Sequence, residues 1–141
     1  MVHEKHIEIR WRDCDAYKHV NNAVYATYLE ECRDEWVTRV IGELGSSWDY
    51  VLARVAIDFR REVVLEDEEV TVHVELVRIG TSSITLAERI TKRDGTLAAE
   101  AEAVLVARDP ETGRSRPLTQ AERAALESAL PPAPPPAQAS A

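Results

Sequence analysis

At 141 residues the chain is sized for one domain, long enough to bury a core but near the small end. Hydrophobic residues make up 45% and charged residues 30%, an ordinary globular balance, and no apolar run approaches the roughly 18–20 residues that cross a bilayer. The net charge of −8 argues against a nucleic-acid partner, which calls for a basic face, yet it leaves room for a small anionic ligand held by a local basic cluster or a helix N-terminus.

The first residues, Met1-Val2-His3-Glu4-Lys5-His6, are polar and mixed in charge and do not read as a signal peptide, so a cytoplasmic setting is expected. Cys14 and Cys32 lack metal-type spacing and form no disulfide framework, so both are expected as reduced thiols. Residues 5–12 alternate, with Ile7, Ile9 and Trp11 on one face, which predicts a half-buried strand. A polar segment, Asp13-Cys14-Asp15-Ala16-Tyr17-Lys18-His19-Val20-Asn21-Asn22, follows it.

From about Ala23 to Ile41 the residues Tyr25, Leu29, Cys32, Trp36 and Val40 recur at helical spacing, and Val24, Tyr28, Val37 and Ile41 widen the stripe. A long, heavily buried helix is predicted, with Asn21 or Asn22 as its N-cap and Gly42 with Gly45 at its end. Glu35 and Arg39 form a correctly oriented i,i+4 pair on its exposed side.

The remainder reads as β structure. Val55, Ile57 and Phe59 alternate, and Val70, Val72, Val74 and Leu76 alternate after the acidic turn 66–69. Gly80-Thr81-Ser82-Ser83 marks a turn before a strand around 84–91, and Asp94-Gly95 is a hairpin signal leading to a strand through about Ala107. Ala99, Ala101 and Ala103 are small residues that would let the sheet lie close to a helix. Asp109-Pro110 and Gly113 mark a further turn, and Thr119-Gln120-Ala121-Glu122 matches a capping box for a short helix at about 120–130. Residues 131–141 hold five of the seven prolines and no charge, which predicts a flexible Pro/Ala-rich tail behind one domain at 1–130. Short connections enforce antiparallel neighbours, so the pattern is an α+β domain whose sheet curls around one helix. That architecture alone carries no chemistry.

The chemistry enters with Asp15-Ala16-Tyr17-Lys18-His19-Val20-Asn21-Asn22-Ala23-Val24-Tyr25, followed by Tyr28, Glu31 and Arg33. This run resembles the signature of hotdog-fold acyl-CoA thioesterases, the branch of 4-hydroxybenzoyl-CoA and bacterial long-chain acyl-CoA thioesterases. Ile57-Asp58-Phe59-Arg60-Arg61-Glu62 and Arg78-Ile79-Gly80-Thr81-Ser82-Ser83 are similar to later family segments in the same order, so the likeness spans roughly residues 6–118. It implies the hotdog fold, a curved antiparallel sheet wrapped around one long central helix, and hydrolysis of an acyl-CoA, or an acyl-carrier-protein, thioester. It implies no metal or redox cofactor, and a homodimer or homotetramer with sites between subunits. Asp15 matches the catalytic carboxylate, and the backbone N–H of Asn22 matches the group that polarises the thioester carbonyl. Many relatives carry glycine before the histidine where this chain has Lys18, and the hydroxybenzoyl type carries proline where it has Ala16.

Each residue also has a plainer reading. Asp15 alone would be a turn or cap residue, and Asp13 reads as a brace bonding loop amides. A calcium loop is rejected, because Lys18 and Val24 stand where it needs glycine and a bidentate glutamate. His19 reads as a half-buried residue shaping the loop, Tyr17 as a pocket wall, and Asn21 and Tyr25 as neighbours of the substrate. Arg60 and Arg61 are an exposed strand end, or one of them meets the CoA phosphates. Gly80, Thr81 and Ser82 are a turn, or their accessible amides meet pantetheine or nucleotide. A Cys–His nucleophilic pair is set aside. Two other function classes are a non-catalytic acyl-CoA-binding hotdog protein and a hotdog enoyl-CoA hydratase. The first usually carries a DNA-binding module, and the second places its acid–base pair in a different motif.

Overall fold

The computed structural model describes residues 2–44 and 49–132. Among these the chain forms β1 (Val2–Glu8), α1 (Asn22–Ile41), β2 (Tyr50–Phe59), β3 (Glu69–Ile79), β4 (Ser83–Lys92), β5 (Leu97–Ala107) and α2 (Gln120–Ala129). The strands make one antiparallel sheet in the order β1-β3-β4-β5-β2. Alternation does the sorting. Val70, Val72, Val74 and Leu76 of β3 are fully buried, as are Ile84, Leu86 and Ile90 of β4 and Ala99 and Ala103 of β5. The hairpin between β4 and β5 closes through Gly95, whose φ of +87° is a conformation open to glycine without strain.

Helix α1 lies across that buried face, principally over β3 and β1. Its stripe is the expected one: Tyr25, Leu29, Cys32 and Trp36 are buried, joined by Tyr28, Val37 and Ile41, while Val40 is half-buried. The Cys32 thiol donates toward the carbonyls of His3 and Val72, and burial followed by the nearby Glu35 charge pushes its pKa up to about 12. A thiol so disfavoured as thiolate is a core filler. Helix α2 begins at the expected capping box: Thr119 Oγ1 accepts from the Glu122 amide at 3.1 Å, and Glu122 Oε1 accepts from the Thr119 amide at 2.9 Å. Burial works to raise the pKa of Glu122, but hydrogen bonds from Arg116, Tyr50 and Thr119 prevail and hold it at about 2.

A buried ion pair crosses the core. Arg33 of α1 donates Nε and Nη2 to the two carboxylate oxygens of Glu88 on β4, at 2.8 and 2.7 Å. Both side chains are essentially sealed from solvent, and the fork geometry admits one helix position over the sheet.

Several expectations are corrected. β1 stops at Glu8, and Trp11 opens a 3-10 turn (Trp11–Asp13), so Ile7 and Ile9 are buried while Trp11 is 81% exposed. The strand period ends because Asp13 accepts the Arg10 amide and turns the chain. Glu35 pairs with Lys5 of β1 instead of Arg39, since the neighbouring strand brings a closer cation. Val55 and Phe59 alternate as predicted and stay largely exposed on the edge strand β2, Phe59 meeting the Tyr25 ring of α1 edge-on. Helix α1 ends at Gly42 in a right-handed conformation, and Gly45 lies outside the described residues, as does the tail from residue 133.

Removing one partner of the buried pair leaves the other uncompensated, at a cost of about 3–5 kcal/mol. Arg33→Met is therefore expected to lower the urea midpoint by that equivalent, and Arg33→Met with Glu88→Leu to recover most of it. A single variant that unfolds at the wild-type midpoint would show that the pair contributes nothing.

Candidate active site

The segment between β1 and α1 is held as a small closed loop. Cys14 and Val20 form a β-bridge, the Asp15 amide donates to the His19 carbonyl at 3.1 Å, and the Lys18 amide donates to the Asp15 carbonyl at 2.9 Å. Lys18 closes this turn at φ +68°, left-handed backbone that disfavours a residue with a Cβ by roughly 1–2 kcal/mol. Glycine, which has no Cβ, would sit there freely. The loop is fastened to the sheet end through Val20, whose amide donates to the Val63 carbonyl at 2.7 Å.

Asp15 sits at the loop's bend, partly exposed. Its Oδ1 accepts the Tyr17 amide at 2.9 Å, and its Oδ2 accepts the side-chain amide of Asn21 at 3.1 Å. Asn21 is also the N-cap of α1, since its Oδ1 accepts the Ala23 amide at 2.9 Å. One side chain thus ties the carboxylate to the start of the long helix. The next amide, that of Asn22, has no acceptor among the described residues. A free N–H at the positive end of a 20-residue helix is a donor for developing negative charge.

Asp13 lies beneath, 2% exposed. Its Oδ2 accepts the Arg10 amide at 2.9 Å and the Tyr28 hydroxyl at 2.7 Å, and its Oδ1 accepts Arg10 Nε and Nη2 at 3.2 and 3.1 Å. Burial opposes its charge, but these donors outweigh burial and hold its pKa below the usual carboxylate value. Tyr28 is pushed up by burial and by Asp13. Among the described residues no group of three or more His, Cys, Asp or Glu side chains could hold a metal ion.

Two clefts flank the loop. One, of about 480 Å³, is lined by Trp11, Cys14, Asp15, Ala16, Lys18, Leu65 and Glu66. The other, of about 210 Å³, is lined by His19, Asn22, Tyr25, Phe59, Arg60, Arg61 and Glu62.

A family model described as the thioesterase-like superfamily matches residues 9–140. The chain belongs to that superfamily. It is 30% identical over 131 residues to the long-chain acyl-CoA thioesterase FadM of Escherichia coli strain K12, covering 86% of this chain and 94% of that protein. A thioesterase of Thermus thermophilus, solved with coenzyme A and Zn, superposes with a TM-score of 0.80 at 32% identity, covering 89% of this chain and 92% of that one. SAV2348 of Staphylococcus aureus, solved in complex with CoA, has a TM-score of 0.82 at 16% identity, covering 98% and 91%, a likeness of fold alone. The fold is thus the hotdog fold, and the chain is a thioester hydrolase.

Within this thioesterase the expected residues do not all meet. Asp15, Asn21 and Asn22 share the junction of loop and helix. His19 is half-buried with Nδ1 3.4 Å from the Val20 carbonyl, and Tyr17 is 81% exposed and stacks toward the His19 ring at 6.0 Å. Tyr25 packs edge-on to Phe59 and donates its hydroxyl to the Arg61 carbonyl, so it faces the smaller cleft. Arg60 is engaged by Glu100 at 2.6 Å and Asp58 at 3.8 Å, whereas the Arg61 guanidinium makes no ion pair among the described residues.

Gly80, Thr81 and Ser82 sit at the far end of the sheet. Strand β3 starts beside the loop and reaches them after eleven residues, on the order of 35 Å. Their expected free amides are also corrected in part: the Gly80 amide is spent on the Ser83 carbonyl, because the turn closes on itself. What sequence reasoning missed is Tyr28 as the partner of Asp13. The signal was present, since a tyrosine within a buried helical stripe needs an acceptor for its hydroxyl.

Proposed function

We propose that this thioesterase hydrolyses acyl-CoA thioesters, with Asp15 as its carboxylate and the Asn22 N–H polarising the carbonyl. The observation that carries the reading is the double role of Asn21, which caps α1 and holds Asp15 Oδ2 at the same junction. Asp15 lines the larger cleft and Asn22 the smaller, with Asn21 between them in sequence and bonded to Asp15, so a thioester carbonyl accepting from the Asn22 N–H would have to sit where the two clefts meet at that junction. As the carbonyl carbon becomes tetrahedral, negative charge gathers on its oxygen, and such a donor typically lowers the barrier by about 3–4 kcal/mol. Asp15 then attacks the carbonyl carbon, giving a mixed anhydride that water hydrolyses, or takes a proton from the attacking water; in either route the C–S bond breaks, CoA leaves and is protonated to the thiol, and the free acid is released. The likeness to FadM, named for long-chain acyl-CoA, and to a thioesterase solved with coenzyme A supports the substrate class. Two free thiols agree with a reducing, cytoplasmic setting.

Asp15→Asn keeps the size of the side chain and loses its basicity. Turnover of octanoyl-CoA, followed by CoA release with a thiol reagent, is expected to fall about 10²–10⁴-fold with folding unchanged. Near-wild-type hydrolysis by the folded variant would overturn the mechanism, and binding without release by the wild-type protein would favour an acyl-CoA sensor. Incorporation of ¹⁸O from water into the Asp15 carboxylate would mark direct attack.

Arg61 lines the smaller cleft with Asn22 and makes no ion pair among the described residues, so it is the arginine we assign to the CoA phosphates. Arg61→Ala is expected to raise KM for acyl-CoA about tenfold, and Arg60→Ala to change it little, since Arg60 is already committed to two carboxylates. The reverse ranking would reject the assignment.

The smaller cleft falls below the roughly 300–1,000 Å³ of ordinary ligand pockets. Beside it, β2 offers an uncovered edge carrying exposed Leu52, Val55 and Phe59. A second copy of the chain would pair that edge, enlarge the cleft and bring a far-end turn with Gly80, Thr81 and Ser82 toward it. Light scattering is expected to give a dimer or tetramer, and a fully active monomer at assay concentration would refute it.

A further inference from the structure

We propose that Asp13 is a positioning residue for the thioesterase reaction, clamped by Tyr28 and Arg10 so that Asp15 and the Asn22 N–H keep a fixed separation. The inference rests on the reading of Asp15 as the reacting carboxylate.

Asp13 is a poor candidate for chemistry of its own. A carboxylate offers about four lone-pair sites, and here four donors fill them: the Arg10 amide, Arg10 Nε and Nη2, and the Tyr28 hydroxyl. Nothing is left for a substrate or a water. A carboxylate buried to 2% is costly unless fully bonded, so it acts as a fixed node.

The node joins the two groups that must stay in register. Through its side chain Asp13 grips Tyr28, in the second turn of the helix whose first amide is the free donor. Through its carbonyl it accepts the Asn21 amide at 3.0 Å, and Asn21 in turn holds Asp15 Oδ2. Asp15 itself follows two residues along a loop strained at Lys18. With the Tyr28 tie cut, that loop has a way to relax away from the helix end. Tyr28 has no other hydrogen-bond acceptor among the described residues, so its buried hydroxyl serves this contact alone.

The test is a double-mutant cycle on the full chain with octanoyl-CoA. Tyr28→Phe removes one hydroxyl and leaves the ring packed in the core. Because misplacing reacting groups by about 1 Å can cost 10²-fold, kcat is expected to fall about tenfold or more with KM within about twofold. In the Asp15→Asn background the same substitution is expected to cause no further loss, because the geometry it guards no longer matters. If Tyr28→Phe does not fold, Arg10→Gln, which removes two donors from the exposed side, is carried through the same cycle. Equal fractional losses in both backgrounds would mean general destabilisation and overturn the proposal. Unchanged kcat for the clamp variant, alongside collapse of Asp15→Asn, would overturn the clamp while leaving the role of Asp15 intact. Wild-type turnover by Asp15→Asn would bring down the reading beneath it, and the clamp with it.

Discussion

A helix laid across a curved sheet must be held both along its axis and about it. Apolar packing alone does this loosely, because a stripe of Leu29, Cys32 and Trp36 can slide on a bed of valines at small cost. The Arg33–Glu88 fork removes that freedom, since two parallel hydrogen bonds in a sealed core tolerate neither a shift nor a turn of α1 over β4. The ends of the helix inherit this register. At its N-terminus it sets where the Asn22 amide points, and through Tyr28 it sets where the preceding loop can attach.

The loop shows how local strain and local bonding are balanced at a site. Lys18 occupies backbone that favours glycine, and Asp13 keeps a charge out of water. Both are unfavourable alone. They persist because bridges at Cys14–Val20, the anchor of Val20 on Val63 and the four donors on Asp13 over-determine the conformation. In return Asp15 stays partly exposed, with only two hydrogen bonds to its carboxylate, and keeps capacity for a reacting partner.

The distribution of charge around the loop departs from the net value. An excess of acidic groups would repel a polyphosphate in general. At the loop end, however, Arg61 and Lys18 make no ion pair among the described residues, while Arg60 on the neighbouring strand end is neutralised by Glu100 and Asp58. Which arginine is available is decided by pairing across β2 and β5, where Asp58 meets Glu100 and gathers two carboxylates around Arg60.

Periodicity was enough to locate α1 and β3, because their buried faces repeat at 3.6 or 2 residues, and local signals at Gly80–Ser83, Asp94-Gly95 and Thr119 with Glu122 located β4, β5 and α2. The family was likewise legible, as the motif from Asp15 to Tyr25 is compressed into eleven consecutive residues. The rest depended on contacts between residues distant in the chain, which no local pattern encodes. Trp11 left the core because a turn at Arg10 broke the strand period, and Glu35 chose Lys5 because a strand from elsewhere lay nearer than its own helix. Val55 and Phe59 kept an apolar alternation yet stay largely exposed, since strand order puts β2 at the edge. Arg33 with Glu88, and Asp13 with Tyr28, are separated by 55 and 15 residues, so only the folded chain could reveal them as pairs. By itself the sequence determined most of the elements and the motif that marks the family, all set by neighbours within a few residues. Tertiary structure alone decided which charges are paired, which apolar residues stay exposed and what holds Asp13 and Asp15 in place, because those depend on long-range packing and burial.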